Sequence, residues 1–185
     1  MKPLVFIKSC GATKAKGVVP AKDKYIGTPW LIFRKYEPEN RKDAMRLFII
    51  SAKFGLIPED KGVCDYNKEL SLREKKLKNH QIYYKNLVPL LKRQIKEYGL
   101  EGSQIFVDGS APYNKALEEA KLPFISLVDL FSKETVVGRE MRGGQGKKNA
   151  ALKWFLLSYY PTLIQERNII HALKQRFKAI GRSDV

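Results

Sequence analysis

Two short stretches of this chain combine residue types that can do chemistry with a spacing that brings them to one place. The first is Leu4-Val5-Phe6-Ile7 running into Ser9-Cys10-Gly11-Ala12-Thr13-Lys14. The second is Leu47-Phe48-Ile49-Ile50-Ser51-Ala52-Lys53-Phe54-Gly55-Leu56-Ile57. In each, four apolar residues typical of a buried strand break off at polar residues and a lysine. Open α/β sheets bind their ligands at the carboxyl ends of strands, so two such endings suggest one shared site. A third, Gln104 to Asp108, breaks at Gly109-Ser110-Ala111-Pro112 before a short helix from Tyr113 to Ala120. The Gly109-Ser110 turn at that helix start could offer backbone amides to a phosphate or carboxylate.

The chemistry available there follows from the side chains. Cys10, near Lys14 and Lys53, is expected to be a thiolate and so a nucleophile, because neighbouring cations lower a cysteine's pKa. Lys53 is expected to contact phosphate or, if desolvated, to act as a nucleophilic amine. Asp23 and Asp65 are candidates for general base or for hydrogen bonding a base edge. Tyr25 and Tyr66 could stack on a nucleobase. Cys64 reads as structural. The two cysteines make no metal-ligand pair by spacing, so no metal is expected, and no cofactor motif is present. Gly143-Gly144-Gln145-Gly146-Lys147-Lys148 is not a phosphate loop, since Met141 stands where its first glycine belongs and Lys148 replaces Ser or Thr. The chain also lacks the serine-hydrolase elbow and the dinucleotide fingerprint.

These residues must be positioned by a fold, and the elements are legible in outline. Strands are expected at 4 to 8, 47 to 51, 104 to 108 and 124 to 127. Thr28-Pro29-Trp30 reads as a helix start with Thr28 as N-cap, and Leu31, Phe33 and Tyr36 would face inward. Residues 72 to 98 have helical spacing, with Pro89 a kink or a fresh start. Helices at 146 to 160 and 162 to 180 should be separated by Pro161. Alternating strands and helices predict a three-layer α/β sandwich with a mostly parallel sheet. The length, 185 residues, fits a single domain spanning residues 1–185 with a basic helical C-terminal part.

Charge points to the partner. Thirty-five Lys and Arg against 19 Asp and Glu give a net charge of +16, which favours a polyanion, nucleic acid first of all. Half of the surplus lies between Arg139 and Arg182. There Arg139, Arg142, Lys147, Lys148, Lys153 and Arg176 are the expected backbone contacts. The longest apolar stretch, Trp154 to Ile164, holds Ser158 and Pro161 and is too short for a membrane span. With no signal-peptide pattern, the chain is expected to be cytoplasmic. Oligomeric state is not legible.

The ordered set Ser9-Cys10-x-x-x-Lys14, Pro20-Ala21-Lys22-Asp23-x-Tyr25-x-x-Thr28-Pro29, Ser51-Ala52-Lys53-Phe54-Gly55-Leu56-Ile57 and Asp65-Tyr66 resembles an uncharacterised bacterial and phage domain family. Members of that family carry Cys-Ser-Lys-Lys-Lys, Pro-Ala-x-Asp-Leu-Tyr, Ser-Ala-Lys-Tyr-Gly-Leu and Pro-Tyr-Asp in that order. That family is in turn similar to the catalytic core of archaeosine synthase, a tRNA base-modifying enzyme, and more distantly to the peroxide-stress protein family linked to DNA. The chain departs from the archaeosine pattern: Ser9 replaces a proline, the tyrosine is displaced to Tyr25, Thr28 stands for a serine, and no histidine follows. The resemblance implies a uracil-DNA-glycosylase-like fold and a pocket that handles a nucleobase. Cys10, Lys53, Asp23 and Asp65 would do its chemistry. Lys14, Tyr25, Thr28, Ser51, Gly55, Tyr66, Gly109 and Tyr113 would bind substrate. The expected function is base exchange, excision or side-group attachment on DNA or tRNA. The alternatives are a non-catalytic nucleic-acid-binding protein and an enzyme acting on free nucleotides.

Overall fold

The computed structural model describes residues 4–67, 70, 77–131 and 144–166. Among them five strands form one sheet in the order β4-β3-β1-β6-β7. These are β1 (Leu4–Ser9), β3 (Met45–Ser51), β4 (Gly55–Pro58), β6 (Ile105–Asp108) and β7 (Ile125–Ser126). All neighbours are parallel except β4, which returns antiparallel to β3. A two-stranded ribbon joins β2 (Val19–Pro20) to β5 (Gly62–Val63). The expectation of an α/β protein with a mostly parallel sheet is met.

β1 lies at the centre because it is apolar on both faces, as a strand covered on both sides must be. Leu4 and Phe6 point into one core with Leu47, Ile49 and Phe106. Val5 and Ile7 point into the other with Phe48, Ile50 and Val107. The first core is covered by α1 (Ala21–Lys24), α2 (Thr28–Tyr36), α6 (Leu127–Phe131) and α7 (Gly144–Trp154). Phe6 is stacked between Phe33 at 5.8 Å and Phe155 at 5.3 Å. The second core is covered by α4 (Leu77–Glu97), through Leu87, Leu91 and Ile95, and by α5 (Ala111–Glu119). A short helix α3 (Arg41–Ala44) leads into β3, and its buried Arg41 pairs with Glu37 and Glu59.

The chain runs from β1 to β3 on one side, then crosses to β6 on the other. The strand order therefore reverses about β1, and the crevice at the carboxyl ends of β1 and β6 is where such a sheet takes a ligand.

Several local expectations are corrected. The run through Ser51 does not simply end there. Ala52-Lys53-Phe54 forms a tight loop, and Gly55, at φ +66°, turns the chain back into β4. The helix cap falls on Gly27 rather than Thr28, which is the first helical residue and makes no capping hydrogen bond. Leu31 is 56 % exposed, and Trp30 takes the inward place instead. α4 passes through Pro89 without a break, since Pro89 lies on the exposed face where water can satisfy the freed carbonyl. Pro161 does not separate two helices either. A π turn, Phe155–Tyr159, precedes it, with the Tyr160 amide donating to the Phe155 carbonyl. That wider turn makes room for the proline ring, and helix continues to residue 166. The expected segments at 72–76 and beyond 166 lie outside the described residues.

The outer edge of β4 is held by one buried side chain. Gln94 of α4 accepts from the Leu56 amide at 2.8 Å and donates to the Phe54 and Leu56 carbonyls at 3.0 and 3.1 Å. A Cβ on Gly55 would come within 2.1 Å of the Gln94 Oε1. Gly55→Ala should therefore lose stability twice, by about 1–2 kcal/mol for left-handed backbone and by about 1–3 kcal/mol for unmade amide bonds. Urea unfolding should give a combined loss of roughly 2–5 kcal/mol. A loss under 1 kcal/mol would show that the turn does not depend on glycine.

Candidate active site at the carboxyl ends of β1 and β3

The site begins where β1 stops. The Cys10 amide still donates to the Ile50 carbonyl at 2.9 Å, so Cys10 sits fixed just past the strand end. The loop that follows is pinned by an antiparallel bridge between Lys14 and Tyr25, with the Ala15 amide on the Lys24 carbonyl at 2.8 Å and the Ile26 amide on the Thr13 carbonyl at 3.1 Å. This bridge brings the first two sequence motifs together. Tyr25 is fully buried and stacks on Trp30 at 5.6 Å, and the Trp30 indole donates to the Ser9 carbonyl at 3.2 Å.

Four hydroxyls and a thiol then meet. The Cys10 sulfur is 3.2 Å from the Tyr113 hydroxyl. Ser51 donates to the Tyr66 hydroxyl at 3.0 Å, and Tyr66 lies 2.6 Å from the Tyr25 hydroxyl. The Lys53 amide donates to the Ser51 Oγ at 3.2 Å, so the β3–β4 turn also orients the serine. Two cations flank Tyr66: the Lys14 ammonium is 4.7 Å and the Lys53 ammonium 5.8 Å from its ring centre. Phe54 meets the same ring edge-on at 5.1 Å. The cluster thus draws on β3, α5 and the segments that follow β1, α1, β3 and β5.

Its electrostatics correct the expected thiolate. Burial pushes the Cys10 thiol up, and the hydrogen bonds from Tyr113 and Tyr66 and the Lys14 charge only partly offset it. Burial likewise pushes the Tyr25, Tyr66 and Tyr113 phenols up; cluster neighbours raise Tyr25 and Tyr113 further, while at Tyr66 the effect of Cys10 is partly offset by the hydrogen bonds to Ser51 and Tyr25. At neutral pH the cluster is a set of uncharged donors and acceptors. The positive charge stands at its margin.

The other expected residues divide as follows. Asp65 does not face Cys10. Its carboxylate binds the Lys24 ammonium at 2.5 Å and the Gly17 amide at 3.2 Å, which hold it well below the usual carboxylate range. Its work is to tie two loops together. Asp23 is exposed on α1 and makes no hydrogen bond or ion pair among the described residues, and Thr28 is exposed at the start of α2. Tyr25 is too buried to stack on a ligand; its hydroxyl supports Tyr66 instead. Gly109 is where α5 comes closest, for a Cβ there would lie 2.0 Å from the Asn114 Oδ1. Lys147 and Lys153 are exposed and Lys148 half-buried on α7, with the Lys153 ammonium 5.5 Å from the Tyr36 ring. Arg139, Arg142 and Arg176 lie outside the described residues. The described residues hold no cluster of His, Cys, Asp or Glu able to bind a metal ion, and no helix among them is long and apolar enough to cross a membrane.

Sequence reasoning missed Lys8 and Asp108 as partners. They lie opposite each other on β1 and β6 and form a buried ion pair beneath the site, with the Lys8 ammonium 5.3 Å from the Trp30 ring. The available signal was a lysine inside an otherwise apolar strand.

Fold and site define an α/β protein with a polar, cation-flanked cluster where the strand order reverses. The chain belongs to DUF6884, a family of unknown function, whose pattern matches residues 5–142. The matched span contains every residue of the cluster. Comparison with curated proteins and with solved structures gave no match.

The raised thiol gives a test. At pH 7.5 a maleimide should modify exposed Cys64 well before Cys10, and in Cys64→Ser the Cys10 rate should keep rising above pH 9, past the range of an ordinary thiol. A Cys10 rate that levels off below pH 7 would restore the thiolate. The same shift links to stability. The thiol is neutral in the fold, so its contribution is complete below the unfolded value near 9.0 and is lost as pH rises beyond it. Chemical denaturation from pH 7 to 10.5 should show the wild type losing more stability above pH 9 than Cys10→Ala.

Proposed function

We propose that this protein is a nucleic-acid base-modifying enzyme whose base pocket is formed around Cys10, Ser51 and Tyr66. The observation that supports this reading best is the neutral thiol–phenol–serine cluster at the strand ends with the Lys14 and Lys53 ammonium groups beside it. Uncharged hydroxyls can both donate to and accept from a base edge, as recognition of a heterocycle requires. Two marginal cations suit the phosphate of the same nucleotide, with exposed Lys53 the nearer to solvent. The net charge of +16 supports a polyanion as the carrier of that base.

A base inside a duplex has to be extruded before it can reach such a pocket, which calls for phosphate contacts around the opening. The basic C-terminal part, including Lys147 and Lys153 on α7, supplies candidates. A uracil-DNA-glycosylase-like arrangement, implied by the likeness to the archaeosine synthase core, belongs to this reading. A central parallel sheet with its polar cluster at the strand ends is consistent with it. The reaction is exchange, excision or attachment of a side group at the base. In each, Cys10 takes part as a protonated thiol in contact with Tyr113 rather than as a standing thiolate.

Nucleoside mass spectrometry of DNA and tRNA tests the proposal, comparing cells that make wild type, Cys10→Ala and Lys53→Ala at matched levels. A modified or missing base should appear with wild type and fall at least tenfold with Cys10→Ala. In binding assays Lys53→Ala should reduce the log–log salt slope on duplex DNA by about 0.9. Identical nucleoside profiles in all three strains, with binding intact, would favour a non-catalytic nucleic-acid-binding protein.

A further inference from the structure

The turn that delivers Ser51 and Lys53 to the site also walls a second concavity on its outer side. This slot has a volume of about 220 Å³ and is lined by Val18, Phe54, Ile57, Lys61, Val63 and Cys64. Pockets for drug-sized ligands run to about 300–1,000 Å³, so this one suits a single planar ring system. Its walls are largely apolar, and Val18, at the rim, is 73 % exposed. Phe54 is common to slot and site: it lines the slot, meets Tyr66 at 5.1 Å and lies 4.8 Å from the Lys53 ammonium. Exposed Lys61 stands among the other lining residues.

The slot is built rather than incidental. Asp65, tied to the Gly17 amide and to Lys24, holds the loop carrying Val18 against the segment that leaves β5 through Cys64. Lys24 closes the tie by donating to the Gly17 carbonyl at 2.6 Å. Gly62 lets the two approach, since a Cβ there would lie 3.3 Å from the Val18 Cγ1.

We propose that this slot is a flanking-base subsite. It takes the base of a nucleotide adjacent to the one held at Tyr66, with Lys53 and Lys61 serving the connecting phosphate. The inference rests on the base-modifying reading above and extends it: the substrate is a strand, not a free nucleotide. Stacking on Phe54 would be tolerant of sequence, because every base offers a π-face. Lysines beside an apolar slot in a chain of net charge +16 favour a nucleotide over an aromatic side chain of a protein partner.

Cys64 makes the slot readable, for it is exposed on the slot while Cys10 is half-buried with its thiol pushed up by desolvation. The full chain is mixed with DNA or RNA pentanucleotides, and the rate of Cys64 alkylation is followed by mass spectrometry. A saturating pentanucleotide should slow Cys64 at least tenfold. The same strand with abasic sites on both sides of its central base should bind but leave Cys64 fast. Val18→Glu, a surface change, should remove the protection. If pentanucleotides bind in a Lys53-dependent way and Cys64 stays equally reactive, the subsite is overturned while the site reading stands. If anisotropy detects no binding of any pentanucleotide, the site reading fails and the subsite falls with it.

Discussion

A lysine that is 1 % exposed in the middle of a sheet must find an anion or give up its charge. Lys8 finds Asp108, its register partner on the next strand. Such a pair is a poor source of net stability, because desolvation consumes most of the Coulomb gain. Its contribution is register. A one-residue slip would carry the ammonium to the opposite face, among Ile50 and Val107 of the neighbouring strands, away from the Asp108 carboxylate. By locking β1 to β6 at this level, the pair sets where both strands end. It thereby sets where Cys10 and Gly109 leave the sheet. Trp30, beside the Lys8 ammonium and bonded to the Ser9 carbonyl, carries the same constraint to α2.

Charge is thus kept beneath and beside the site, while the cluster itself is neutral. Removing water from Cys10 and three phenols raises all four groups together, and the neutral phenols around the thiol hydrogen-bond it without offering a base for its proton. The site is suited to shape and hydrogen-bond recognition first.

The sheet was legible because its strands are short apolar runs ended by polar residues, and β1, β3, β6 and β7 all lie where such runs occur. The residues around the site were legible for the same reason: Cys10, Ser51, Lys53 and Tyr113 follow directly from strand ends. What escaped was set by long-range packing. That Leu56 and Ile57 double back as β4 depends on a left-handed glycine and on Gln94, 38 residues away from Leu56. That Asp65 ties loops rather than serving Cys10 depends on Lys24 being buried nearby. Nor could spacing reveal that Cys10 is too buried to be the thiolate its lysines suggest. Proline signals were overridden where local structure could absorb them, at an exposed face for Pro89 and behind a π turn for Pro161.

The Gln94 amide has a further consequence. Holding both the amide and the carbonyl of Leu56, it imitates one peptide unit of a sixth strand of this sheet, which the described residues do not supply. An open sheet edge is a template on which other chains can add strands and begin to aggregate. Here the central position of that template is already filled, by a side chain anchored on a helix. Together with Pro58, which has no amide hydrogen to offer at the end of the same edge strand, it blocks growth of the sheet from one molecule into the next on this side, leaving the hairpin free to carry the residues of the site.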